Sequence, residues 1–206
     1  MEEFERFLHM SESIPGWTRG KEALELARTS LSLAPGAVII EIGAFLGSGT
    51  VLLAGPRKIR GSGRVHAVDP FDRSGDPYST PVYREMLANA GDGTLRDYFD
   101  ENIRRAGLTD WVEVHQGRAA EIAMHWTTPV DMIFLDGDQS RCGSREAYDS
   151  WSPFLRAGGT IAIHNSSPTN FRPDHDGNRC LVEQEIHSPQ YTDVFLVGST
   201  TFARKI

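Results

Sequence analysis

Five short runs rich in Val, Ile and Ala, each closing on an acid, a glycine or another polar residue, constrain this chain's fold more than any other feature. They are "AVIIEIG" (37–43), "GRVHAVD" (63–69), "WVEVHQG" (111–117), "VDMIFLDG" (130–137) and "GGTIAIHN" (158–165). Runs that are apolar on both faces suit a parallel sheet covered by helices on each side. Helical patterns lie between them: "GSGTVLLAGPRKI", "LRDYFDENIRRAGL", "RAAEIAMHW" and "SREAYDSWSPFL". Ahead of them, "KEALELARTSLSL" sets Ala23, Leu24, Ala27 and Leu31 on one helical face. Strand and helix alternate, which predicts an open α/β sheet. The last two runs, "DVFLVG" and "TTFARKI", are separated only by a short Ser/Thr turn and read as an antiparallel hairpin. Seven strands follow, mostly parallel, with the hairpin at the C-terminal end.

The 206 residues fit one domain, 1–206, with an N-terminal helical segment over 1–34. Hydrophobic residues at 39% and charged residues at 24% are globular values, and no apolar stretch is long enough to span a bilayer. "MEEFERFLHM" is acidic and amphipathic, unlike a signal peptide, so the expectation is a cytoplasmic protein without a membrane partner. A formal charge of −7 and the lack of a Lys/Arg cluster argue against nucleic acid as a ligand, since binding its backbone needs a basic surface. The two cysteines, Cys142 and Cys180, have no metal-type spacing and are expected as reduced thiols. Two stretches resist regular assignment, 70–93 and 166–179; long loops in a compact domain are binding elements more often than slack, which makes these the candidate substrate loops.

In open α/β sheets ligands sit beyond the carboxyl ends of the strands. That rule gathers Glu41, Gly43, Asp69, Gly117, Asp136, Asp138, His164 and Asn165 onto one rim. The first turn, "EIGAFLGSGT", has glycines at 43, 47 and 49, which lets backbone approach a ligand; close helix packing accounts for them equally well. Their spacing is not that of a dinucleotide fingerprint, and Glu41 would repel a pyrophosphate, so a nicotinamide oxidoreductase is disfavoured. A carboxylate there could hold an ammonium group, directly or through water. Asp69 stands where an acid can accept both hydroxyls of a ribose, with a cap on the following helix as its alternative role. Together the two acids point to a ligand with an amino acid part and a nucleoside part.

"VIIEIGAFLGSGT", "VHAVDPFD", "VHQGRAAE", "DMIFLDGDQS" and "LRAGGTIAIHNS" occur in the order and spacing of class I S-adenosylmethionine-dependent methyltransferases. The chain resembles a bacterial small-molecule group related to catechol-type and macrolide-sugar O-methyltransferases and to cephalosporin-hydroxylase-like proteins, over residues 17 to 204. The resemblance implies a Rossmann-like, doubly wound fold and S-adenosyl-L-methionine as cofactor. It implies that Glu41, Gly43, Ala44, Gly47 and Ser48 hold the methionine portion and Asp69 the ribose. Pro70 and Phe71 would pack on the adenine, Gly117, Arg118 and Ala119 would meet its edge, and Asp136 and Gly137 would complete the pocket.

The resemblance also implies a divalent metal, Mg²⁺, held by Asp136, His164 and Asn165. The sequence departs from the pattern here: the relatives usually place a carboxylate in the fifth-strand pair where this chain has "HN", and a Lys or His base where it has Gln139. An amide cannot act as a base near neutral pH. His164 is then the first candidate base, with the alternative that it is hydrogen-bonded into the sheet edge. His175 could reach over the cofactor from its loop or simply be solvated, and Asp138 could orient a substrate or cap a helix. Arg118 and Arg141 are expected at the surface, and Trp17 is expected to pack in the core. The reading that results is methyl transfer to a hydroxyl of a small molecule such as a sugar or natural-product intermediate, by an enzyme that could be a homodimer. A metal-independent N- or O-methyltransferase and a non-catalytic S-adenosylmethionine-binding protein are the alternatives.

Overall fold

The computed structural model describes residues 2–87 and 92–206. Helices α1 (Glu2–Ser13) and α2 (Gly20–Ser32) precede strand β1 (Val38–Ile42); α3 (Ser48–Arg60) leads to β2 (Arg64–Asp69), and α4 (Ser79–Leu87) and α5 (Leu95–Ala106) to β3 (Val112–Gln116). The short α6 (Ala119–Ala123), β4 (Val130–Leu135), α7 (Arg141–Trp151), β5 (Leu155–Ile163), α8 (Gly177–Glu185), β6 (Tyr191–Val197) and β7 (Thr200–Lys205) complete the order. The sheet runs β3-β2-β1-β4-β5-β7-β6, with β1 to β5 parallel and β7 antiparallel to both β5 and β6. The expected α/β sheet of seven strands with a C-terminal hairpin is the fold observed.

Strand alternation divides the core into two layers. Ile39, Val65, Ala67, Met132 and Phe134 face the side covered by α1, α2, α3 and α5, where Phe7, Leu26, Leu52, Leu53 and Phe99 are buried. Ile40, Ile42, Val68, Ile133 and Leu135 face the opposite side, against Tyr148 and Trp151 of α7 and Leu181 of α8. Glu41 occupies a position of the first layer, level with Ala67 and Phe134. An ionisable group therefore stands where packing would ask for an apolar one.

The loops depart most from expectation. The stretch 70–93 is not irregular throughout, since α4 lies inside it; its residues 88–91 fall outside the described residues. Most of 166–179 does lack regular structure, but it ends in the first turn of α8, a helix that no sequence pattern had marked. At the far edge, β6 exposes Val194, Phe195 and Leu196. Both cysteines are free, and no described helix is long and apolar enough to cross a membrane.

The outer layer depends on one close approach. A Cβ built on Gly55 of α3 would run into the ring of Phe7, whose side chain is buried in that layer. Glycine is required for α1 to seat at this depth. The Gly55→Ala substitution should cost about 1–3 kcal/mol through overpacking. In urea titrations the midpoint should fall with an unchanged slope, and the cost should shrink in a Phe7→Ala background, because the two residues share one contact.

Candidate active site

Backbone hydrogen bonds continue each parallel pairing one step past the strand ends: Gly43 N–H donates to Val68, Asp136 N–H to Ile42, His164 N–H to Leu135 and Gly117 N–H to Asp69, at 2.9 to 3.1 Å. The ends of five strands are thereby held level, and a cavity of about 400 Å³ opens above them. The β1–α3 turn forms its floor. Gly43 has φ 89°, and a Cβ there would lie 2.5 Å from the Cα of Gly137, so only glycine lets the turns after β1 and β4 meet.

Glu41 lies under this turn, 1% exposed, with its carboxyl accepting a 2.5 Å hydrogen bond from Thr50 Oγ1. A Cβ at Gly49 would collide with the same carboxyl, so the helix start must be bare at that point. Burial pushes the Glu41 carboxyl up to about 8, helped by the charges of Asp136 and Asp69 and only partly countered by Thr50. Near neutral pH the group is mostly protonated until a cation is brought beside it. Asp69 is buried too, and burial raises its affinity for a proton, offset in part by backbone N–H groups. Its Oδ2 accepts from Phe45 N–H at 2.9 Å and its Oδ1 from Phe71 N–H at 2.7 Å, which leaves each oxygen a second lone pair.

On the β4–β5 side a chain of charges runs inward from the cavity. His164 Nδ1 is 2.6 Å from Asp136 Oδ1, and its Nε2 is 3.7 Å from Glu22 Oε1. Glu22, in the first turn of α2, also accepts from Ser199 N–H at 2.7 Å and Ser199 Oγ at 2.9 Å in the β6–β7 turn. Burial alone would strip His164 of its proton, but the carboxylates of Asp136 and Glu22 outweigh it and raise the imidazole to about 10. Glu22 moves the other way, to about 2: burial opposes this, and the contacts from His164 and Ser199 prevail. His164 is a buried imidazolium held between two carboxylates. Gln139 Nε2 adds a 3.2 Å hydrogen bond to the same Asp136 oxygen, leaving Oδ2 as the freer one.

Above the rim the two candidate loops meet. His175 Nδ1 is 3.1 Å from Asp76 Oδ1, and Asp76 also accepts from the backbone N–H of Tyr78 and Ser79 and from Ser79 Oγ. Burial would raise the Asp76 carboxyl, yet these hydrogen bonds hold it below the usual range. The other ring nitrogen, His175 Nε2, is 3.4 Å from Asn165 Nδ2, and both residues line the cavity. Arg172 donates to Tyr78 Oη at 2.5 Å and lies over that ring, tying the loop after β5 to the loop after β2. On the remaining wall Trp17 packs on Phe45 and Tyr83, with ring centroids 5.4 and 5.5 Å away. Arg19 fixes this segment by donating to Ile14 O at 2.5 Å and to Ser48 Oγ at 2.6 Å.

Most of the residues named from sequence share this cavity. Glu41, Gly43, Ala44, Ser48, Asp69, Pro70, Gly117, Arg118, Ala119, Asp136, Gly137, Asp138, His164 and Asn165 all line it. Gly47 and Phe71 are not among its lining residues. A Cβ on Gly47 would meet Phe99 and Ile103 of α5, and the Phe71 ring packs on Phe99, so both serve the helix layer. Asp138 accepts from Ser140 N–H in the turn before α7, whose N-cap is Ser140 itself. Trp17 is 40% exposed and lines the cavity, against the expectation of core packing.

The donor set for Mg²⁺ does not assemble as the resemblance implied. Both ring nitrogens of His164 face carboxylates, which leaves no lone pair for an ion. Asp136 and Asn165 remain as oxygen donors at the rim, a thin set for a hard cation. Sequence reasoning missed Glu22, Asp76 and Tyr83, and it left His175 undecided. Glu22 belongs to a helix more than a hundred residues from the strands it serves, so no local pattern marks it. The only trace of Asp76 was its place in a Gly/Pro/Asp-rich loop.

Residues 40–166 match the model of a family described as a methyltransferase domain. Solved structures with the same fold include cofactor-bound Rv0187 from MTB, at 18% identity and a TM-score of 0.66, covering 100% of this chain and 90% of that one. The O-methyltransferase TomG from Streptomyces achromogenes, involved in tomaymycin synthesis and solved in complex with SAM, is similar at 19% identity and a TM-score of 0.63, with 100% and 90% covered. An O-methyltransferase from Bacillus cereus, in complex with SAH, shows 20% identity and a TM-score of 0.61 over 100% and 91% of the two chains. The matched segment runs from β1 to just past β5 and contains the whole strand-end rim, and by it this chain belongs to the methyltransferase domain family.

Proposed function

We propose that this protein transfers a methyl group from S-adenosylmethionine to a hydroxyl of a small molecule, without a metal, and that His175 takes the hydroxyl proton. The observation that carries the cofactor assignment is Glu41, a carboxyl buried beneath a glycine turn and left mostly neutral by its surroundings. Such a group gains most from a ligand that brings a positive charge to it. Asp69, Pro70 and Gly117 to Ala119 continue the same wall and suit the nucleoside part. The sulfonium of the cofactor supplies an already activated methyl group, so the chain's own task is to bind, align and deprotonate the acceptor.

His175 fits the last task by geometry. Asp76 orients the ring through Nδ1, and Nε2 lies beside Asn165 at the cavity. His164 does not, because it already carries its proton between two carboxylates. The aromatic wall of Trp17, Phe45 and Tyr83 would exclude water and flank a flat or partly apolar acceptor. A homodimer remains part of the reading; the apolar edge strand β6 is the surface it would use, and sedimentation would test it.

Calorimetric titration with S-adenosylhomocysteine tests the cofactor site. Binding should be saturable, lost in Asp69→Ala, and coupled to release of about one proton at pH 7, because Glu41, mostly protonated before binding, ionises against the ligand's ammonium group. Runs in buffers of different ionisation enthalpy give the proton count, and Glu41→Gln should bring it to zero. A wild-type count of zero would remove Glu41 from the ligand's environment, and absence of binding would sink the reading.

The base is tested on an acceptor found by screening phenols and sugars with methyl-labelled S-adenosylmethionine. His175→Ala should lower turnover by about 10²–10⁴-fold while leaving S-adenosylhomocysteine affinity unchanged. Chelator should leave the wild-type rate unaltered. Loss of activity on chelation would instead restore a metal to the mechanism.

A further inference from the structure

We propose that His66, Glu113 and His115 form a binding site for a divalent transition metal on the outer part of the sheet, apart from the cavity. Parallel pairing of β2 and β3 sets His66 opposite Glu113 and Val68 opposite His115. Val68 faces the α6–α8 layer, so the three side chains, two residues apart along their strands, project on that same face. Among the described residues they are the only group of three or more His, Cys, Asp or Glu whose ligand atoms gather within 4.8 Å of one another.

The spacing is that of ligands around one ion. His66 Nδ1 is 3.0 Å from His115 Nε2 and 3.8 Å from Glu113 Oε2, and His115 Nε2 is 3.6 Å from Glu113 Oε1. Donors about 2.1 Å from a tetrahedral zinc ion would stand roughly 3.4 Å apart. At 3.0 Å one imidazole nitrogen carries a proton and the other accepts it, so an ion would replace that shared proton. Trp126 lies against both rings, with centroids 4.8 and 5.8 Å away, and restrains them in place. The side chains are 11%, 21% and 46% exposed for His66, His115 and Glu113, which opens the carboxylate side to solvent for ion entry and for coordinated water. Two imidazoles and one carboxylate suit zinc and its neighbours rather than Mg²⁺ or Ca²⁺.

Arg64 competes for the carboxylate, since its guanidinium is 3.3 Å from Glu113 Oε2. The pair is about half exposed, and exposed pairs are weak, so it tunes the site without closing it. An ion here would link edge strand β3 to β2 two residues before Gly117, where the cavity wall begins.

Titration of the metal-stripped full chain with Co²⁺, followed by visible absorption and competed with Zn²⁺, tests the site. One equivalent should bind, with the d–d bands of nitrogen and oxygen ligation. Removing a group that merely orients a ligand already costs about tenfold in metal affinity, so His115→Gln and Glu113→Gln should each weaken binding by more than that, while Arg64→Ala should strengthen it. Circular dichroism checks the fold, and Glu113→Gln, at a half-exposed position, carries the test if a histidine variant is unstable. Three outcomes would overturn the proposal: no saturable binding, unchanged affinity in Glu113→Gln, or a thiolate-to-cobalt charge-transfer band that moves the ion to a cysteine.

Discussion

Parallel register is the constraint on which the rest of this structure depends. By holding the strand ends level it brings Glu41, Asp69 and Asp136 to one rim, to which helix α2 adds Glu22 and the loop after β2 adds Asp76. Carboxylates gathered in a poorly solvated space repel one another and lose hydration, so each needs its own relief. Glu41 keeps a proton, Asp69 is held by two backbone N–H groups, Asp136 and Glu22 share the imidazolium of His164, and Asp76 is enclosed by His175, Ser79 and backbone N–H groups. A cation entering the cavity changes this balance most at Glu41, where the relief is a proton that can leave.

What could be read from the sequence follows from the range of the interactions concerned. The strands, their alternation with helices and the final hairpin are written in periodicity, which neighbouring residues carry. The rim could be read for the same reason: once strand ends are known, a parallel sheet fixes which residues stand together. Phe71 shows where this stops, because a residue just past a strand end can still turn its ring to the helix behind, the direction in which a Cβ on Gly47 would also point. Glu22, Trp17 and Asp76 reach the site only through tertiary packing: α2 rests on the β6–β7 turn, Arg19 pins the segment before α2, and Arg172 joins two loops. Nothing in their local sequence separates them from ordinary helix and loop residues.

The two histidines of the cavity differ for a reason that distance alone does not reveal. Each has a carboxylate on Nδ1, at 2.6 Å for His164 and 3.1 Å for His175. The second nitrogen decides their chemistry. His164 meets another carboxylate there and becomes a fixed cation, a strut that aims Asp136. His175 meets the side-chain amide of Asn165 on the cavity side, an uncharged partner where His164 has a carboxylate.

Gln139 completes the same division. At the position where the resembling enzymes carry a base, this chain places an amide that donates to Asp136, and the amide oxygen has no hydrogen-bond partner among the described residues. A cationic lysine there would add a second positive charge beside Asp136, which His164 already neutralises. With Gln139 the acid is oriented by a neighbour that contributes no further charge. In the proposed reading proton transfer falls instead to His175, whose partner Asp76 also accepts from the Gln139 backbone N–H at 3.4 Å, where the loops after β2 and β5 meet.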